Sequence, residues 1–186
     1  MNTIYTSVWI LWLSSEILMN LLFRANKRKA GKTDKNSLAI IWFVIALSIS
    51  AAVYLAYHIH MPISGKFRAD LLGIILIPVG MVIRFSSIAS LGRFFTVNLS
   101  VHERHTLLRT GMFRYIRHPS YTGSLLSFVG LGLSINNVAS FFMIVVPVTA
   151  AFLYRISIEE KMLSRAFGAE YKDYKTKTKR LIPFVY

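Results

Sequence analysis

The stretch YTGSLLSFVGLGLSINNVASFFMIVVPVTAAFLY, residues 121–154, decides the fold. It contains two apolar runs, Tyr121 to Leu133 and Val138 to Tyr154, separated by the break at residues 134–137. Ser and Asn residues in such a break are typical of a turn, and a short turn between two apolar runs indicates paired antiparallel helices. The stretch therefore predicts a helical hairpin in a membrane, with a rather short first helix.

Three further apolar runs precede this hairpin: Ile4 to Phe23, Leu38 to Tyr57 and Leu71 to Leu91. Each approaches the roughly 20 mostly apolar residues that cross a bilayer core. With 54% hydrophobic residues in 186, the chain is too apolar for an ordinary soluble domain and long enough for one compact unit. We expect an all-α integral membrane protein with about five transmembrane helices. The first run lacks the flanks of a removable signal peptide, so we expect it to stay as a helix.

The charge distribution predicts the orientation in the membrane. The formal net charge is +14, but the basic residues lie between the apolar runs rather than along one soluble face, so we expect no nucleic-acid partner. Residues 24–37, 92–120 and 155–186 share one side and hold 6, 5 and 8 Lys or Arg, whereas residues 58–70 on the other side hold 2. Basic residues accumulate in cytoplasmic loops. We therefore expect a non-cytoplasmic N-terminus, with both long polar segments and the C-terminus in the cytoplasm.

Charged and polar residues inside the apolar runs are costly, which makes them informative. Glu16 and Asn20 lie four apart on one helical face of the first run, and Arg84 lies inside the third. They either line a substrate entry or bond a neighbouring helix, and the structural role carries more weight. A pairing of Arg84 with Glu16 is one form that this role would take. The chain has no cysteine, which excludes disulfides and thiolate metal sites or nucleophiles.

Two polar segments contain the candidate functional residues. The 92–120 connection is too long for a simple loop and too rich in apolar side chains for disorder. Taken alone, its Arg117-His118-Pro119 would be a helix start with proline in the first turn. In the second segment, Arg155 and Glu159 are four apart, and their ordinary interpretation is a surface pair on a continuing helix. The motifs are Gly111-x-Phe113-x-x-x-Arg117-His118-Pro119-Ser120-Tyr121-x-Gly123, Arg155-x-x-x-Glu159-Glu160-x-x-Leu163-x-x-x-Phe167-Gly168-x-x-Tyr171-x-x-Tyr174, and Arg180-Leu181-Ile182-Pro183.

Together, and in this order around a tight helical hairpin, the motifs resemble the isoprenylcysteine carboxyl methyltransferase family and its phospholipid methyltransferase relatives. The resemblance runs from about Asn98 to Pro183. It implies S-adenosylmethionine as the cofactor, held between the cytoplasmic ends of the last helices, with no Rossmann domain. It also implies a single membrane methyltransferase domain, residues 1–186, in which residues 1–91 are the N-terminal helices and residues 92–186 the catalytic part.

The resemblance assigns site residues position by position. Arg155 falls on the family's substrate-side arginine, and Arg155 and Glu159 are the expected catalytic residues. Asn98 stands where some relatives have glutamine, and Phe113 where relatives often have tyrosine. No metal is expected. The expected cofactor-binding residues are Asn98, His105, Thr106, Leu107, Leu108, Phe113, His118, Pro119, Ser120, Tyr121 and Glu159.

These residue types suit methyl transfer to an acid. A carboxylate is already ionised near neutral pH, so in-line displacement needs positioning and desolvation rather than a strong base. Arg155 would orient the acceptor carboxylate through paired N–H donors. Glu159 would bind the cofactor's amino group or ribose and offset its positive charge, while His118 would bind its carboxylate or amino end. Rings such as Phe113 and Tyr121 suit an adenine or a sulfonium.

Other functions remain open at this point. The acceptor we expect is a prenylated or similar lipophilic acid, because an amine would gain less from Arg155, although arginine also holds a lipid phosphate. Methylation of a phospholipid amine or another lipophilic nucleophile is the alternative. A transporter or membrane scaffold is a non-enzyme alternative, and a reductase using a nicotinamide cofactor is a third. We also expect the basic run 174–180 to attract anionic membrane lipids.

Overall fold

The computed structural model describes residues 3–24, 36–63, 68–92 and 107–183, without the side chains of residues 23, 24 and 36. Within these ranges the chain forms five α-helices, as the apolar runs predict. Four of them are long and apolar enough to cross a membrane, whereas α4, with 16 residues, is shorter. The helices are α1 Thr3–Arg24, α2 Asn36–His58, α3 Ala69–Leu91, α4 Pro119–Ser134 and α5 Val138–Lys177.

Helices α3 and α4 touch backbone to backbone along two pairs of glycines. A Cβ added to Gly80 would lie 2.4 Å from the carbonyl oxygen of Gly123, and one added to Gly73 would lie 2.4 Å from that of Gly130. Small residues allow this approach, which gains van der Waals contact where lipid supplies no hydrophobic force between helices. The pairing fixes the start of α4 against α3, and the site lies at that end.

Helix α1 is attached differently, through polar side chains. The Tyr5 hydroxyl donates to Asp70 at 2.6 Å, and Glu16 forms an ion pair with Arg84 at 2.8 Å. Between them, Trp12 is fully buried and meets Phe128 edge to face. The Glu16–Arg84 contact is the pairing that the sequence suggested as one form of a structural role.

The turn between α4 and α5 is the one that the sequence predicts. Asn136 has a positive φ of 52°, which asparagine tolerates better than most residues. The Asn137 side chain accepts from the Ser140 N–H at 3.0 Å and donates to the Ile59 carbonyl at 2.6 Å. This N-cap starts α5 and ties it to the end of α2.

Helix α5 continues far beyond the predicted apolar run, which ends at Tyr154. Its 40 residues are broken at Gly168, where φ of 52° and ψ of −120° redirect the chain. Residues 169–183, here called the C-terminal strap, then pack on the segment before α4. The Arg117 N–H donates to the Lys179 carbonyl at 2.7 Å, and the His118 N–H donates to the Arg180 carbonyl at 3.1 Å. The strap therefore positions the residues that lead into α4.

Candidate active site

A cavity of about 210 Å³ lies between the helices, the segment before α4 and the strap. It gathers every expected site residue that the structure describes, although these come from two separate segments of the sequence. Asn98, His105 and Thr106 lie outside the described residues. The expected residues that line the cavity are Leu107, Leu108, Phe113, His118, Pro119, Ser120, Tyr121, Arg155 and Glu159.

Tyr121 links the two expected catalytic residues. Its hydroxyl accepts from Nε of Arg155 at 3.0 Å and donates to Oε2 of Glu159 at 3.0 Å. Arg155 also donates from Nη1 to the Ser37 hydroxyl at 2.7 Å and is only 3% exposed. The interpretation of Arg155 and Glu159 as an ordinary surface pair is therefore wrong, because α2 and α4 cover the arginine. The guanidinium is held in place by two neighbouring helices.

His118 occupies the N-cap position of α4 without a capping bond from its side chain, and Pro119 lies in the first turn as the sequence indicates. Its side chain is buried between two carboxylates, with Nδ1 3.8 Å from Glu159 and Nε2 3.5 Å from Glu160. At that distance the second contact is longer than an ordinary hydrogen bond. Among the described residues, Nε2 has no hydrogen-bond partner.

Glu160 has a structural role that the sequence motif did not reveal. Its Oε1 pairs with Nε of Arg117 at 2.8 Å, and its Oε2 pairs with Nη2 of Arg180 at 2.9 Å. Arg117 also donates to the Thr178 carbonyl. Because Glu160 is only 4% exposed, the carboxylate is compensated by two cations rather than by water. This buried cluster ties α5, the segment before α4 and the strap together beside the cavity.

A second pair of charges lines the cavity from α1 and α3. Arg84 pairs with Glu16 and also donates from Nη1 to the Ser124 hydroxyl at 2.6 Å and the Ser120 hydroxyl at 3.2 Å. The glutamate balances the arginine, and both side chains are less than one-fifth exposed. The substrate-entry interpretation and the structural one are therefore compatible here, because the same contacts bond the helices and face the cavity.

Most of the remaining wall is apolar. An apolar wall suits a hydrocarbon chain next to the polar residues around Arg155. Several of these residues carried no signal in the sequence, since one tryptophan or leucine in an apolar run resembles any other. These wall residues include Trp12, Leu38, Ile41, Trp42, Ile45, Phe128 and Phe152.

The strap closes the cavity on the side of the segment before α4. Tyr171 and Tyr174 both line the cavity, and the Tyr174 hydroxyl donates to the Phe113 carbonyl at 2.6 Å. Arg109 forms ion pairs with Glu170 at 2.9 Å and with Asp173 at 3.6 Å. The strap is thus a fixed part of the site's wall and contributes side chains to it.

Comparison with known proteins gives consistent results. The phospholipid methyltransferase family matches residues 69–170. Protein-S-isoprenylcysteine O-methyltransferase A of Arabidopsis thaliana is 31% identical over 100% of both chains. A probable protein-S-isoprenylcysteine O-methyltransferase of Oryza sativa is 26% identical over 98% of this chain and 95% of its own. The Saccharomyces cerevisiae protein-S-isoprenylcysteine O-methyltransferase is 34% identical over 61% of this chain and 48% of its own.

A solved structure has the same fold. It is the eukaryotic intramembrane Ras methyltransferase described as isoprenylcysteine carboxyl methyltransferase, determined without a monobody. The TM-score is 0.68 at 25% sequence identity, and the match covers 97% of this chain. This chain spans 65% of the length of that protein.

Proposed function

The chain belongs to the isoprenylcysteine carboxyl methyltransferase family and is a membrane methyltransferase, and from this premise we propose that it methylates the carboxylate of an isoprenylcysteine or a similar lipophilic acid. The family implies S-adenosylmethionine as the methyl donor. When bound, that cofactor supplies an electrophilic methyl group on a positively charged sulfur. The acceptor is ionised near neutral pH, so the reaction requires no proton to be removed.

The observation that carries this proposal is the chain of contacts from Arg155 through Tyr121 to Glu159. It places a cation and an anion on one apolar-walled cavity, joined by a single hydroxyl. A lipophilic acid and a cationic cofactor need this combination side by side. Arg155 would hold the acceptor carboxylate, and Glu159 would face the cofactor's positive charge.

The residues of this chain would then act by positioning and by excluding water. Arg155 is preoriented because Tyr121 and Ser37 already bind its guanidinium, so little order is lost when an acceptor arrives. The aromatic faces of Tyr121 and Phe113 suit a sulfonium or an adenine ring. The strap and the buried Glu160 cluster would keep bulk water from this end of the cavity.

The cofactor-binding assignments are part of the proposal. Two buried polar atoms in the described part of the chain lack partners at this end of the cavity, Nε2 of His118 and the Tyr171 hydroxyl, and a polar ligand would satisfy them. The proposal extends to Asn98, His105 and Thr106 through the family pattern alone. On this assignment residues 92–186 are the catalytic part, and the N-terminal helices in residues 1–91 complete the cavity wall.

We also propose the orientation. The strap, the segment before α4 and the end of α5 would face the cytoplasm, because the Lys and Arg residues are concentrated there and between α1 and α2. The N-terminus would lie on the opposite side. The acceptor would reach the cavity from the lipid, past the exposed apolar faces of the helices.

Cofactor titration of purified protein in detergent tests the assignments. We expect Glu159→Ala and His118→Ala to weaken S-adenosylmethionine binding about tenfold or more, since each removes a contact to a charged ligand. We expect Arg155→Ala to keep cofactor affinity and to lose turnover with an S-farnesylcysteine analogue. Lys161→Ala, an exposed neighbour on α5, is the control. Wild-type cofactor binding in the Glu159 and His118 variants would refute the cofactor assignments.

The acceptor class is tested with matched compounds. An S-farnesylcysteine analogue with a free carboxylate should accept the methyl group, whereas its carboxamide and a phospholipid amine should not. Methylation of the amine but not of the acid would overturn the proposal in favour of the alternative acceptor.

A further inference from the structure

The Tyr171 side chain is fully buried yet lacks a partner for its hydroxyl. It lines the cavity from the strap, and no described residue forms a hydrogen bond with the hydroxyl oxygen. A buried hydroxyl without a partner carries a desolvation cost that native proteins rarely leave uncompensated. Such an atom at the wall of a binding cavity indicates a contact that a ligand completes.

Tyr174, one turn further along the strap, shows what a purely structural tyrosine looks like here. The two rings lie 6.1 Å apart, and both side chains are buried. The Tyr174 hydroxyl has a protein partner, the Phe113 carbonyl, at 2.6 Å. The Tyr174 hydroxyl therefore helps to hold the strap in place. The Tyr171 hydroxyl forms no such bond with the described residues.

The carboxylates near Tyr171 already have donors of their own. Glu160, Arg117 and Glu159 are the charged groups close enough to act on the phenol electrostatically. Both oxygens of Glu160 are bound by arginines, and Oε2 of Glu159 accepts from Tyr121. The partner that completes the Tyr171 hydroxyl therefore comes from outside the described protein residues.

A phenol hydroxyl donates most strongly to an anion. The charges at this end of the cavity are balanced, since Arg117 and Arg180 stand against Glu160 and Glu159, so they do not oppose an added anion. Nε2 of His118, also buried and unpartnered among the described residues, offers a second polar contact. The carboxylate of an amino acid is an anion that can accept from such a hydroxyl.

We propose that Tyr171 is a further cofactor-binding residue, whose hydroxyl donates a hydrogen bond to the amino-acid carboxylate of S-adenosylmethionine. This inference rests on the proposed function and adds to it a residue on the strap. The strap then recognises the cofactor as well as closing the cavity.

The test pairs two variants with two ligands. Tyr171→Phe and Tyr174→Phe each remove one hydroxyl, and S-adenosylmethionine is compared with its decarboxylated form, which keeps the sulfonium and the amine. We expect Tyr171→Phe to weaken S-adenosylmethionine binding roughly ten- to hundredfold, the effect of losing a hydrogen bond to a charged group. Its affinity for the decarboxylated ligand should equal that of the wild type.

Stability without ligand separates this role from a structural one. Tyr171→Phe should unfold at the same temperature as the wild type or higher, because its hydroxyl has no bond to lose, whereas Tyr174→Phe should unfold at a lower temperature. Equal loss of affinity for both ligands, or no loss, would overturn the inference while leaving the proposed function intact. A wild-type protein that binds neither ligand would instead overturn the proposed function and this inference with it.

Discussion

Helices α4 and α1 are held to the same neighbour, α3, by opposite means. The α3–α4 contact depends on side chains that are missing, since glycines let the two backbones touch. The α1–α3 contact depends on polar side chains that are present, on a helix that otherwise exposes most of its surface. In lipid, apolar surface alone does not drive helices together, so either close packing or polar contacts must do so. Added atoms disrupt the first kind of contact, whereas removed atoms weaken the second.

Gly80→Val should have the largest effect. Its Cβ would lie 2.3 Å from the Ser127 hydroxyl oxygen and 2.4 Å from the Gly123 carbonyl oxygen, so the helices would have to separate. We expect a loss of more than about 4 kcal/mol, enough to abolish folding. Size-exclusion chromatography of the detergent-solubilised protein measures the folded fraction. Val79→Ile, at an exposed neighbouring position, should behave as the wild type. A folded Gly80→Val protein would contradict this account of the α3–α4 contact.

Glu16→Gln should have an intermediate effect. The change keeps the shape of the side chain and leaves Arg84 without its anion, although Ser120 and Ser124 still bind the guanidinium. We expect a loss of about 2 kcal/mol, between the cost of an interhelical hydrogen bond and that of an uncompensated buried charge. Thermal unfolding in detergent measures it, with the exposed Ile17→Leu on the same helix as the control. The double variant with Glu16→Gln and Arg84→Gln tests whether the two residues act as a pair. If adding Arg84→Gln lowered the stability by a further amount of the same size, the two residues would be acting independently.

Tyr5→Phe should have the smallest effect of the three. It removes only the hydroxyl that donates to Asp70, and Asp70 keeps its bonds from Arg68. A loss of about 0.6 kcal/mol is expected, the average for such contacts between membrane helices. Tyr57→Phe on α2, where the tyrosine is 88% exposed, is the matched control. A larger drop in unfolding temperature than for Glu16→Gln would reverse the ranking of the α1 contacts.

The helices could be predicted from the sequence because length and apolar content decide them. The predicted runs differ from the observed helices by only a few residues, except at the end of α5. There the apolar run stops at Tyr154 while the helix continues to Lys177, since charged residues with high helix propensity extend a helix that has already begun. The chain changes direction at Gly168, which belongs to one of the sequence motifs. The motif is visible in the sequence, but the backbone angles of the glycine are not.

The site could be predicted only in part. The family pattern assigned His118, Tyr121, Arg155 and Glu159 to one site, and all four line one cavity in the structure. Their roles stay predictions. Spacing alone suggested a surface pair for Arg155 and Glu159, because periodicity shows which residues share a helical face but not which helix covers that face. For the same reason nothing in the sequence indicated Ser37, whose hydroxyl binds Arg155 from α2.

The pairing of the strap with the segment before α4 also provides a way to observe the site in action. At Lys179 the pairing uses main-chain atoms, and the side chain points away from the buried residues and is exposed. The natural chain contains no cysteine, so Lys179→Cys would create a single thiol for a fluorescent dye. A dye at that position would report changes beside His118 when a ligand is added, without replacing any residue assigned to the site.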